Sequence, residues 1–243
     1  MTVRIAMWSG PRNVSTALMR SFEARGDCAV IDEPLYAAYL QATGLEHPGR
    51  DQILASQPTD PEVVLARLRA PDSQWPLQFE KHMAHHWPQN WDFTHFGPAR
   101  HAFLVRDPAA MVASYAKVRA TPTAEDLGFP QLLRLARACR AVGQDIVVVD
   151  GDALRAAPES GLRTLCEGLG LAFTPRMLSW SAGRRDTDGV WAPHWYAKVE
   201  ASTEFVPPSP PAVVPAALRP LVEALQPIYD ELVASNDEKG ERN

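Results

Sequence analysis

Arg4-Ile5-Ala6-Met7-Trp8 leads into Ser9-Gly10-Pro11-Arg12-Asn13-Val14-Ser15-Thr16, and then into Ala17-Leu18-Met19-Arg20-Ser21-Phe22. The stretch reads as a short buried strand, a tight basic and hydroxyl-rich loop, and the first turns of a helix. Such a junction makes an anion site. Free backbone N–H groups open the helix, the macrodipole is positive there, and Arg12 adds a cation. Gly10, Arg12, Asn13, Val14, Ser15 and Thr16 are therefore candidate binding residues. A plainer reading makes Ser15 or Thr16 a helix cap and turns Arg12 to solvent. The loop is not a Walker A sequence, since the second glycine and the lysine of G-x-x-x-x-G-K-[ST] are both missing.

Working outward, apolar runs with polar ends recur. Cys28-Ala29-Val30-Ile31 stops in Asp32-Glu33-Pro34, and Leu77-Gln78-Phe79-Glu80 continues into Lys81-His82-Met83. Ala102–Val105 runs into Arg106-Asp107-Pro108, and Asp145–Asp150 is β-branched throughout its middle. Between them lie helical patterns. Leu35–Thr43 is closed by Gly44, Glu62–Arg69 is capped by Asp60-Pro61, and a helix opening at Asp107-Pro108 carries Met111, Tyr115 and Val118 as its stripe. Ser114 falls on or beside that stripe and needs a partner. Gln131–Val142 carries Arg134, Arg137 and Arg140 on a solvated side, Leu162–Leu169 ends at Gly170, and Leu218–Val233 is a terminal helix. Residues 44–61 read as a surface loop, 179–196 lack periodicity, and 207–215 form a proline-rich hinge.

Strands alternating with helices predict a three-layer α/β fold with a mostly parallel sheet of about five strands. Ligands of such sheets sit beyond the C-terminal strand ends. That rule gathers the Gly10–Thr16 loop, Glu33, Lys81-His82 and Arg106 on one edge. We expect one domain over residues 1–235, with residues 236–243 a disordered tail. A net charge of −5 argues against an electrostatically driven nucleic-acid binder. No apolar run reaches the roughly 20 residues of a membrane span. Cys28, Cys139 and Cys166 stand singly in apolar segments, as in a reduced, cytoplasmic protein.

The strand-loop segment with Pro11-Arg12-Asn13-Val14-Ser15-Thr16, taken with Arg106-Asp107-Pro108 and Ser114-Tyr115, resembles the sulfotransferase family, and more closely the bacterial sulfotransferase-like proteins. Glu33-Pro34-Leu35, Lys81-His82-Met83 and Arg184-Arg185…Gly189-Val190-Trp191 fall in family order, so the likeness spans most of the chain. The resemblance implies a P-loop-type fold and 3′-phosphoadenosine 5′-phosphosulfate (PAPS) as sulfuryl donor. It implies that Arg12 and the Asn13–Thr16 loop hold the phosphosulfate, and that Arg106 and Ser114 bind the 3′-phosphate. The Arg184-Arg185 loop would close over the same phosphate, with Trp191 shielding the site. Lys81 would sit beside the bridging oxygen. Val14 stands where the family commonly has glycine.

Arginine's planar fork suits phosphate and sulfate oxygens. A sulfuryl group carries less negative charge than a phosphoryl group, so no metal is expected. The general base is Glu33, pinned by Pro34, or else His82, with His85 and His86 nearby. Tyr36, Trp87, Trp91, Trp195 and Tyr196 could line a pocket for a small acceptor, although Trp87, Trp91 and Phe93 read better as packing over the sheet edge. The alternative functions are a non-catalytic nucleotide-binding scaffold and an ATP-dependent P-loop kinase. A metal hydrolase on His82, His85 and His86 lacks a completing carboxylate at a known spacing.

Overall fold

The structure, a computed structural model, describes residues 2–87, 91–117, 119, 121–208, 210 and 213–236. β1 (Val3–Ser9), β2 (Cys28–Asp32), β3 (Leu77–Met83), β4 (Arg100–Val105) and β5 (Ile146–Asp150) form one parallel sheet in the order β2-β3-β1-β4-β5. The helices include α1 (Ser15–Glu23), α2 (Tyr36–Thr43), α3 (Arg50–Ser56), α4 (Pro61–Leu68) and α5 (Pro108–Tyr115).

β1 is central and buried from Arg4 onward because both its faces are covered. Ile5 and Met7 pack with Leu18 and Phe22 of α1 and with Leu162 and Leu165 of the helix Pro158–Gly168. Ala6 and Trp8 pack on the other side with Val64 and Leu68 of α4 and Leu132 of the helix Phe129–Ala141. This is the expected three-layer α/β arrangement. The register sets Ser9 beside Met83 and Leu104, Asp32 beside Lys81, and Val105 beside Asp150. The chain that follows β1 thus emerges mid-sheet, flanked by the ends of β3 and β4, where an α/β sheet holds its ligand.

Asp60 and Asp107 cap α4 and α5 as expected, accepting from the backbone N–H of Glu62 at 2.9 Å and of Ala110 at 2.8 Å. Other expectations need correction. The loop 44–61 contains α3, whose Ile53 is fully buried beside Tyr36, Leu40 and Trp191. Its apolar residues Ile53, Leu54 and Ala55 are consecutive, which gives no helical periodicity to read. The helix expected from Leu162 begins at Pro158 and follows the short helix Gly151–Ala156, which the Asp150 side chain caps. Segment 179–196 contains the short helix Ala192–Trp195. Asn236, the first residue of the expected tail, meets β5: its amide accepts from Val148 N at 2.9 Å and donates to Val148 O at 2.7 Å, closing the sheet edge there. Residues 237–243, and Val118 of the α5 stripe, lie outside the described residues.

The side of the sheet away from α1 holds a buried polar chain. Trp8 Nε1–H donates to His101 Nδ1 at 3.1 Å, and the far nitrogen of His101 meets the carbonyl oxygen of the Gln144 amide. Those partners require a neutral imidazole protonated at Nε2, and burial pushes its pKa down to about 4. The unfolded chain takes up this proton near pH 6.5, whereas the folded chain refuses it until about pH 4. Stability therefore falls as pH drops through that window, by about 3 kcal/mol from this group. Urea unfolding at stepped pH checks this, and His101→Asn flattens that part of the slope.

Candidate active site

The loop after β1 is held by packing on both sides. A Cβ on Gly10 would lie 2.3 Å from the Leu127 carbonyl oxygen, so only glycine lets the loop rest on the turn before Gly128. Asn13 braces the loop from within: Nδ2 donates to Leu104 O at 3.0 Å, and Oδ1 accepts from Val14 N at 2.8 Å. Gly151 makes room for this, since a Cβ there would meet Asn13 Oδ1 at 2.3 Å. Val14 has an ordinary φ of −87°, so nothing in the backbone calls for glycine, and its side chain packs on the core beneath. α1 opens with no side-chain cap, so the capping reading of Ser15 and Thr16 does not hold. Ser15 is buried and Thr16 half-buried at that opening.

Arg12 is exposed and left-handed, with a φ of 58°. That conformation costs about 1–3 kcal/mol for a residue with a side chain. It serves two contacts. The carbonyl of Arg12 accepts from an Arg106 terminal nitrogen at 3.0 Å, and Arg12 Nε reaches Ser114 Oγ at 3.5 Å. Arg106 Nε in turn donates to Asp152 Oδ2 at 3.1 Å, and Asp152 also pairs with Arg155. Three separate segments, the loop, the end of β4 and α5, thereby meet around two guanidinium groups. Ser114 finds the partner its position demanded.

A second cluster lies at the ends of β2 and β3. Lys81 Nζ donates to Asp32 Oδ1 at 2.9 Å, to Tyr196 Oη at 2.9 Å and to Glu33 Oε1. Tyr196 Oη donates to Asp32 at 2.7 Å, and Trp191 Nε1–H donates to Tyr196 Oη at 3.1 Å. All five side chains are buried. Burial by itself would lower the Lys81 pKa, but Asp32 and then Glu33 hold it well above its ordinary value. Burial raises the Glu33 carboxyl, and the opposing pull of Lys81 only partly offsets it. Glu33 is also left-handed, with a φ of 41°. Its N–H donates to Lys81 O at 2.8 Å, which ties the turn to β3.

The segment before Tyr196 straps this cluster down. Gly189 N donates to Asp32 Oδ2 at 3.1 Å, and Asp188 pairs with buried Arg20 at 2.6 Å. Arg185 pairs with Glu23 at 3.3 Å and donates to carbonyls of its own loop, among them Gly183 at 3.2 Å. Arg184 is exposed.

The family described as "Sulfotransferase domain" matches residues 3–236. The chain belongs to that family. The branched-chain-amino-acid aminotransferase-like proteins 1 and 2 of Arabidopsis thaliana are 35% and 34% identical to this sulfotransferase domain over 229 residues, 94% of the chain. The chain spans 41% of the length of each. Among solved structures, the sulfotransferase domain from the Synechococcus PCC 7002 olefin synthase superposes with a TM-score of 0.53 at 18% identity. The match covers 93% of this chain and 95% of that one, and it bears on the fold.

Within the sulfotransferase domain, the expected site residues divide. Arg12, Ser15, Thr16, Arg106 and Ser114 gather at the loop, and Glu33 and Lys81 gather beside it. His82 does not join them. Side chains alternate along β3, so His82 projects to the face opposite Lys81, stacking on Trp8 at 4.4 Å with Nε2 3.2 Å from Glu80 Oε2. Lys81 cannot sit free beside a bridging oxygen either, because its three ammonium donors go to Asp32, Glu33 and Tyr196. Arg185 is engaged near the C-terminal end of α1 rather than beside Arg106.

The aromatic residues divide too. Trp87 and Trp91 pack with Phe93 and Phe96 on the His82 side, while Tyr36, Trp191 and Tyr196 pack together next to Lys81. Trp195 is exposed. Asp32, Gly151 and Asp152 were not identified as site residues from the sequence, and Tyr196 was read as pocket lining rather than as a partner of Lys81. Asp32 alone left a signal, as half of a carboxylate pair at a strand end.

Proposed function

We propose that the chain moves a sulfuryl group from PAPS to a hydroxyl or amine of a small acceptor, by in-line displacement. The observation that carries this reading is the double contact of Arg12. Its side chain reaches Ser114 and its carbonyl reaches Arg106, so the loop and the Arg106–Ser114 pair make one continuous anion surface. A donor with charge at both ends of its ribose needs such a surface, whereas ATP needs only one end of it. The donor supplies an activated sulfuryl group on a phosphate leaving oxygen. The open N-terminus of α1 and Arg12 would meet the charge that develops on that oxygen. Asp152 holds Arg106 by Nε, which leaves its terminal nitrogens directed toward the Arg12 side.

Glu33 is the general base of this proposal. Its Oε1 is held by Lys81, which leaves Oε2 for the acceptor's proton. Lys81 then fixes the base, while the leaving oxygen depends on the loop. Three free, buried cysteines suit a reducing compartment, and we place the protein in the cytoplasm on that ground.

Calorimetric titration with 3′,5′-ADP, 5′-AMP and ATP–Mg²⁺ tests the reading. 3′,5′-ADP should bind at least tenfold tighter than 5′-AMP, and Arg106→Ala should erase most of that difference, a loss of roughly 10- to 100-fold for a charge-assisted contact. Equal affinity for the two nucleotides in the unaltered protein would sink it. Tighter, Mg²⁺-dependent ATP binding would make the domain a kinase.

A further inference from the structure

His86 has no part in the chemistry described so far, yet it is placed with care. It ends the tight turn Ala84–His86 that follows β3, and its side chain is 2% exposed. Its ring lies between two tyrosines of α2, stacking on Tyr36 at 4.3 Å and on Tyr39 at 4.9 Å. That sandwich fixes the ring plane. Nδ1 then faces Glu33 Oε2 across 3.8 Å, and it is buried with no hydrogen-bond partner among the described residues. An orphaned nitrogen in a packed interior costs about 1–3 kcal/mol, so its placement opposite Glu33 calls for an explanation.

The groups around it keep the ring neutral. Burial lowers its pKa most, and positive charge at His85, Lys81 and His47 would oppose an imidazolium further. Glu33 faces Nδ1 from the end of β2, Tyr36 and Tyr39 cover the ring from α2, and His85 meets its edge at 4.6 Å. His47, after α2, bonds the far end of Tyr36 at 2.8 Å. A neutral imidazole with an unprotonated Nδ1 can only accept at that atom.

We propose that His86 is a positioning residue for the base: its Nδ1 receives a hydrogen bond from Glu33 once Oε2 carries the acceptor's proton. This rests on Glu33 acting as base in the sulfuryl transfer proposed above. In that step the acceptor O–H or N–H bond breaks and its proton passes to Glu33 Oε2. The acceptor atom bonds to sulfur, and the sulfur–oxygen bond to the donor phosphate breaks with its electron pair leaving on that phosphate. Before the step, the carboxylate has Lys81 on Oε1 and nothing on Oε2. After it, Oε2–H points at a nitrogen 3.8 Å away that a small rotation brings into bonding range. A hydrogen bond to the protonated form raises the carboxyl's proton affinity, so His86 makes Glu33 a stronger base.

The test titrates Glu33 directly in the full chain labelled with ¹³C at the glutamate carboxyl, the signal being assigned by Glu33→Gln. His86→Phe should lower the Glu33 midpoint by about one pH unit, although its ring is no more polar, and His86→Asn, whose amide oxygen can accept in place of Nδ1, should restore it. An unchanged or raised midpoint in His86→Phe overturns the proposal, as does a His86→Asn midpoint equal to that of His86→Phe. If His86→Phe does not fold, His86→Ala against His86→Asn makes the same comparison. The readout needs neither donor nor acceptor. A Glu33 midpoint that His86→Phe leaves unmoved, with intact 3′,5′-ADP selectivity, therefore rejects His86, while absent selectivity with a lowered midpoint in His86→Phe rejects the sulfotransferase reading.

Discussion

Glu33→Gln should lower turnover with labelled PAPS by roughly 100- to 10,000-fold, the usual contribution of a positioned general base. The substitution keeps the side chain's size and its left-handed backbone, and Lys81 still has Asp32 to pair with at 2.9 Å. Folding and 3′,5′-ADP affinity should therefore hold, confining the loss to the chemical step. Because Glu33 must be ionised to take a proton, turnover should rise with pH along an acid limb. That limb should lie above the ordinary glutamate range near 4.3, since burial raises the carboxyl. Wild-type turnover in Glu33→Gln would remove Glu33 from the mechanism. His82→Ala should behave differently, costing stability by leaving buried Glu80 short of a donor while sparing catalytic geometry.

Lys81→Met should cost about 3–5 kcal/mol of folding stability, because it leaves two buried carboxylates without their cation. A surface lysine would cost far less. The deficit should grow with pH. Without the ammonium, the Glu33 carboxyl rises further above its unfolded value, and a group with a raised folded pKa contributes stability at low pH that is lost as pH climbs. Urea unfolding at pH 5 and pH 8 checks both the size and the slope. The double variant Lys81→Met/Glu33→Gln should recover part of the loss, since one carboxylate is gone, and strict additivity of the two changes would break the coupling argument.

The two effects have one origin. Asp32, Glu33, Lys81 and Tyr196 form a closed buried network whose single open position is Glu33 Oε2. Rigidity at Lys81 and the basicity proposed for Glu33 are then two properties of one arrangement, which the strap from Asp188 to Tyr196 covers.

The parallel sheet, its five strands and the edge where the candidate residues gather were legible in the sequence, because each rests on local chemistry. Alternating apolar runs, Asp60 and Asp107 before proline, and polar residues at strand ends act within a few positions of one another. The open helix start after Arg12 was legible for the same reason. What each polar side chain does there was settled only by contacts between distant segments. Asn13 reads as an anion ligand until Leu104 takes its amide, and Arg185 reads as a phosphate ligand until Glu23 takes its guanidinium. Lys81 and His82 are neighbours in sequence, and the pleat of β3 sends them to opposite layers. His86 falls next to Glu33 because the turn after β3 folds back on α2. Periodicity reports which face is buried, but the partner that satisfies a buried charge comes from elsewhere in the chain, and only the packed structure brings the two together.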